Sequence, residues 1–159
     1  SLKGVPAFYL PALLASENDI KRFSKTGERR DLNREKFDFE QLLIQLDDEN
    51  SIASKNLKIL SNAMKIRSKI KSFHPSAEMK CLTKDRRDII AIKRGSENSS
   101  IFAIHNITEN KLDFSINSPL TSSFKDVISY HDFLSGKEYS NLNFVLEPFQ
   151  VLWIGGKND

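Results

Sequence analysis

The sequence predicts an α+β chain in which helices precede an antiparallel β-sandwich. Three observations lead there: an apolar run without polar alternation over residues 5–10, apolar residues at helical spacing from about Phe37 to Phe73, and a change of period from 3.6 to 2 beyond Ala77. The change of period sets the expected domains at residues 1–78 and 79–159.

The first element is the run from Val5 to Leu10. It is β-branched and aromatic, as a strand buried on both faces of a parallel sheet would be. A long polar stretch follows, which matters because a connection of more than about 12 to 15 residues in a compact domain is usually functional or disordered. A buried parallel strand feeding such a loop at its carboxyl end is where barrel enzymes place substrate contacts. Pro11 stops extended pairing, residues 12–15 have the composition of a helical turn, and Asn18-Asp19 can cap another. Residues 25–34 read as a cationic loop.

From Asp38 the sequence becomes helical. Phe39, Leu42, Leu43 and Leu46 recur on one face, with Asp38 as cap, Glu40 in the first turn and an end near Asp48. A longer helix is expected over residues 51–73. Ala53, Leu57, Leu60 and Met64 form one apolar line and Ile59, Ala63, Ile66, Ile70 and Phe73 an adjoining one, and the remaining positions Lys55, Lys58, Lys65, Arg67, Lys69 and Lys71 read as a basic, solvated face. Pro75 closes it. Strands are then expected over residues 79–83, 88–94, 101–106, 111–116, 124–129 and 143–154, with Pro148 marking an edge or bulge in the last. Short strands between frequent turn signals make an antiparallel sandwich.

Composition narrows the function. With 39% hydrophobic and 28% charged residues the chain is globular, and a net charge of +3 spread among 21 acids does not call for a nucleic-acid partner. One cysteine, Cys81, excludes an intrachain disulfide and a cysteine-based zinc site, and reads as a small buried residue. No apolar run is long enough to span a membrane. His74, His105 and His131 share no ligand spacing, so neither a metal nor another cofactor is expected. The phenylalanines of the second half, Phe102, Phe114, Phe133, Phe144 and Phe149, read as core.

Several pieces in order carry a resemblance: Gly-Val-Pro-Ala-Phe-Tyr-Leu (4–10), Leu-Leu-Ala-Ser-Glu-Asn-Asp (13–19), Lys-Thr-Gly-Glu-Arg-Arg-Asp-Leu-Asn-Arg (25–34) and Phe-His-Pro-Ser-Ala (73–77). Two more are Ile-Phe-Ala-Ile-His-Asn-Ile (101–107) and Glu-Pro-Phe-Gln-Val-Leu-Trp (147–153). Together they resemble the carboxyl-terminal part of sucrose phosphorylase and its close relatives, the glycoside phosphorylase branch of the α-amylase superfamily. The resemblance implies that residues 1–78 are the last β/α unit of a (β/α)8 barrel and that residues 79–159 are the terminal β-sandwich. It also implies that Ser1 marks a cut and that the chain is the end of a longer, cytoplasmic enzyme. That enzyme would transfer glucose from an α-glucoside such as sucrose to inorganic phosphate with retention.

Retention requires two carboxyl groups about 5 to 5.5 Å apart. None of the 21 acids matches the family's catalytic motifs, so this chain alone is expected to be inactive, with no catalytic residue of its own. What it would supply is substrate binding through Arg34, Asn33, Asp31 and Tyr9. Arg34 closes the Asp-Leu-Asn-Arg motif, where the resemblance places an arginine of the glucosyl subsite; its planar fork suits hydroxyl, carboxylate or phosphate oxygens. The competing reading of Arg34 is a structural ion pair with Asp31 or Glu35. Asp31 and Asn33 would orient the loop, Tyr9 would touch a sugar or pack in the core, and Arg29 and Arg30 would be surface charge or attract phosphate.

Two other function classes stand beside this one: an α-amylase-type hydrolase or transglucosylase, and a non-catalytic carbohydrate-binding or interaction module. The expected partners are the sugar and inorganic phosphate, with no nucleic acid and no membrane. An isolated barrel fragment would also expose apolar groups and associate with copies of itself.

Overall fold

The computed structural model describes residues 1–33, 36–96, 99–116 and 129–156. It divides into two compact units, Pro6–Lys65 on the one hand and Ser1–Val5 with Ile66–Asp159 on the other.

In the Pro6–Lys65 unit, helix α1 spans Leu10–Leu13, α2 Ile20–Thr26, α3 Phe39–Asp47, and α4 begins at Ile52 and runs on to Lys69. The expected strand over residues 5–10 does not form. Tyr9 is extended, with φ −84° and ψ 133°, but Leu10 already opens α1, and Val5 is 81% exposed. A parallel strand needs ladders on its flanks, and all the strand pairs among the described residues are antiparallel and lie elsewhere. Pro11 fits the first turn of α1, where a missing N–H costs nothing.

The capping residues act as their chemistry predicts. Asp19 Oδ1 accepts from the Arg22 amide at 2.8 Å, Asp38 Oδ1 from the Gln41 amide at 3.0 Å, and Ser51 Oγ from the Ser54 amide at 3.0 Å. Gly27 ends α2 in the left-handed region at φ 67°, which is open to glycine at no steric cost. Residues 25–34 are therefore less irregular than expected: Lys25 and Thr26 belong to α2, and Arg29–Asp31 form a 3-10 turn. The Asn56 side-chain amide donates to the carbonyls of Ala12 and Leu13, both at 2.9 Å, and joins α4 to the end of α1.

Helix α4 stops earlier than its periodicity suggests. Ile70 turns extended and Lys71–Phe73 follow as a 3-10 turn, which inserts the fully buried Phe73 against Trp153 with ring centroids 4.7 Å apart. Arg67 lies over the Phe73 ring and donates to the carbonyls of Phe73 at 2.7 Å and Gly4 at 3.1 Å.

Among the described residues the remaining unit holds eight strands: β1 Met79–Cys81, β2 Ile89–Gly95, β3 Ser100–Asn106, β4 Leu112–Ser115, β5 Tyr130–Asp132, β6 Glu138–Tyr139, β7 Asn143–Leu146 and β8 Val151–Gly156. Six form one sheet in the order β1-β2-β3-β8-β5-β6, and β4 with β7 form a second. The sheets bury a common core in which Ile89, Phe102, Ile104 and Leu152 of the larger meet Phe114, Phe144 and Leu146 of the smaller. This is the antiparallel sandwich that the period of 2 announces.

Several details depart from expectation, among them β5 and β6, which lie outside every expected strand. The run over residues 143–154 is two strands in different sheets, parted at Glu147–Gln150, where Gln150 N donates to Glu147 O at 3.1 Å and Phe149 takes φ 55°. Phe149 is thus 61% exposed rather than core. Cys81 is exposed because β1 is an edge strand, and the expected strand over residues 124–129 falls, apart from Ser129, outside the described residues.

Two buried polar groups fix the sandwich. Asp132, 1% exposed, accepts from the amides of Trp153 at 2.8 Å, Leu134 at 3.2 Å and Ser135 at 3.2 Å, and from the Ser135 hydroxyl, pinning the β5–β6 turn to β8. Arg94, fully buried, donates to the carbonyls of Ser1 at 3.0 Å, His74 at 2.7 Å and Glu78 at 3.2 Å. Burial and the nearby Arg67 guanidinium push its pKa down from the usual arginine range.

Candidate substrate cleft

The loop between α1 and the 3-10 turn is tied at its base. The Asp19 amide donates to the Leu32 carbonyl at 2.7 Å, so one residue both caps α2 and closes the loop. Asp31, at the end of the 3-10 turn, is only 7% exposed. Its Oδ1 pairs with Arg22 at 3.2 Å. A hydrogen bond from Thr26, with the charge of Arg22, holds the carboxyl below the usual carboxylate range against the opposing effect of burial. Asp31 is thus buried and ion-paired to α2 through Arg22.

An open cleft of about 500 Å³ lies against this loop, lined by Tyr9, Arg29, Arg30 and Asn33. Tyr9 comes from the residue before α1 and the other three from the 3-10 turn and its exit. Tyr9 is 49% exposed and does not pack in a core. Of the residues expected to bind substrate, Tyr9 and Asn33 share the cleft, Asp31 supports it from behind, and Arg34, with Glu35, lies outside the described residues.

One contributor was hidden in the sequence. Arg22, the partner of Asp31, is legible only once Asp19 and Gly27 are recognised as the two ends of a seven-residue helix, which carries Arg22 back over the loop. Arg29 and Arg30, expected as surface charge or as attractors of phosphate, are exposed and line the same cleft as Tyr9. The chemistry of the lining is uniform: two guanidinium forks, a phenol and an amide, with no carboxylate among the described residues. Such a set donates hydrogen bonds to oxygen-rich ligands and, among the described lining residues, includes neither a carboxylate nor an imidazole. Elsewhere among the described residues, no group of three or more His, Cys, Asp or Glu could hold a metal ion, and no helix is long and apolar enough to cross a membrane.

A glucosylglycerate phosphorylase of Allomeiothermus silvanus is 29% identical over 156 residues, 97% of this chain and 25% of its own length. The chain is similar to glucosylglycerate phosphorylases. That of Escherichia coli is 26% identical over 154 residues, again 97% of this chain and 26% of the relative. The chain therefore spans about a quarter of the length of the curated relatives it matches. No protein-family model matches it. Among solved structures, AmyP in complex with maltotriose covers 69% of this chain with a TM-score of 0.58, the match taking in 22% of AmyP, at 13% identity. Trehalulose synthase MutB covers 72%, with a TM-score of 0.53 over 20% of its own chain, at 12% identity. These likenesses show the fold: an α+β chain, mostly antiparallel sheet, matching part of each of those two structures.

Proposed function

We propose that this chain is the carboxyl-terminal portion of a glycoside phosphorylase that transfers glucose from an α-glucoside to inorganic phosphate with retention. The observation that carries this reading is the likeness to glucosylglycerate phosphorylases over 97% of the chain. Glucosylglycerate is the first substrate to try, and sucrose the second. In this reading residues 1–78 close a (β/α)8 barrel, residues 79–159 buttress it, and the enzyme works in the cytoplasm, where a sugar phosphate is retained.

The catalytic carboxylates belong to the rest of the polypeptide. A nucleophile and an acid/base about 5 to 5.5 Å apart would form and break the glucosyl–enzyme bond. This chain contributes the wall of the glucose subsite. Tyr9 offers a ring face and a phenol, Asn33 an amide, and Arg34 a fork of donors, while the Arg22–Asp31 pair keeps the loop in place.

The test is to express the chain within its complete reading frame and supply glucosylglycerate or sucrose with and without phosphate. Phosphate-dependent release of α-glucose 1-phosphate is expected, and the isolated chain should release none. Turnover indifferent to phosphate would replace this reading with a hydrolase or transglucosylase.

A further inference from the structure

The cleft carries more positive charge than recognition of a neutral glucosyl unit needs. Glucose hydroxyls are satisfied by amides, phenols and a single arginine, whereas two adjacent guanidinium groups suit a ligand with formal negative charge. Arg29 and Arg30 are consecutive, both exposed, and both line the cleft beside Tyr9 and Asn33. Two acids flank them in sequence and neither lines the cleft: Glu28 stands outside the lining, and Asp31 is 7% exposed with its Oδ1 paired to Arg22 at 3.2 Å.

We infer that Arg29 and Arg30 form an oxyanion subsite in the Tyr9–Asn33 cleft, holding the carboxylate or phosphate of a reactant while Tyr9 and Asn33 hold its uncharged part. The inference deepens the phosphorylase reading and rests on it for the identity of the anion. A phosphorylase acting on a glucosylated hydroxy acid handles two anions, inorganic phosphate and the carboxylate of the released acid, and a paired fork accepts two oxygens of either. The subsite is therefore specific for the oxyanion, and its source is a matter of which reactant reaches the cleft.

The experiment titrates the 159-residue chain with inorganic phosphate, with glycerate and with glycerol, at ionic strength fixed by sodium chloride, while following the arginine side-chain and backbone amide NMR signals. Saturable shifts at Arg29, Arg30 and Asn33 with phosphate or glycerate, and none with glycerol, are expected. The Arg29→Gln, Arg30→Gln double variant should weaken binding by about tenfold or more, and the corresponding double lysine variant by less, since it keeps the charge and loses the fork. Both side chains are exposed, so neither variant should disturb signals elsewhere. Saturation by phosphate alone assigns the subsite to the phosphoryl group; saturation by glycerate alone assigns it to the acid. Shifts that merely follow ionic strength, or that persist in the glutamine variant, would overturn the subsite. The readout needs no turnover. Failure here leaves phosphate-dependent activity of the complete enzyme untouched, whereas loss of that dependence with anion binding intact would remove the phosphorylase reading alone.

Discussion

Asp31 and Asp88 are both ion-paired, and the difference between them shows what a residue's surroundings decide. Asp31 is buried behind the cleft and acts by holding Arg22 in place. Asp88 is at the surface, in a two-pronged pair with Arg86 in which Nε–Oδ1 is 2.8 Å and Nη2–Oδ2 is 2.6 Å. Hydrogen bonding from Arg86 brings the Asp88 carboxyl down to about 2 from a reference value of 3.8. A carboxyl whose folded pKa is depressed contributes stability that is complete above its unfolded value and is lost as pH falls through the folded one. Denaturant melts between pH 3.8 and about 2 should therefore show a falling unfolding free energy, part of which is absent in Asp88→Asn. Identical pH slopes in the two proteins would show that the pair contributes nothing. The residue scale is also where the sequence was least legible. The caps Asp19 and Asp38 could be read from local chemistry, but Cys81 and Phe149 owe their exposure to an edge strand and a left-handed turn that tertiary pairing selects.

At the scale of elements, periodicity located α3 and most of the sandwich strands, because each of these buries one face and the spacing of apolar residues records it. It failed where context outranked spacing. Residues 5–10 have a strand's composition and no neighbouring strand, and α4 gives up its last turn so that Phe73 can reach Trp153. The hairpin of β2 and β3 rests on a position whose role is conformational. Gly95 has φ 95°, and an added Cβ would overlap the Ser99 carbonyl oxygen and lie 2.7 Å from Ser72 Oγ. Gly95→Ala should cost about 2 to 3 kcal/mol, read as a lower denaturation midpoint with an unchanged slope. A variant as stable as the parent would mean that the hairpin readily adopts another turn.

For the molecule as a whole, the informative quantity is the apolar surface left open. In the Pro6–Lys65 unit, Ile20, Phe39, Ile44, Ile52 and Ile59 are each at least 65% exposed, a density that isolated soluble domains seldom carry. The chain spans about a quarter of its relatives' length, and under the proposed reading the rest of a longer enzyme would cover this surface. Sedimentation of the isolated chain at rising concentration should show self-association, and expression within the complete reading frame should suppress it. A clean monomer that binds no hydrophobic dye would contradict both expectations.

Arg94 has a consequence for how this chain can be divided. Its guanidinium is buried on the face of β2 opposite the inter-sheet core and answered by the carbonyls of Ser1, His74 and Glu78. Trimming the opening residues in pursuit of a tidier sandwich domain would therefore take away one of its three carbonyl acceptors and leave a buried guanidinium donor unanswered.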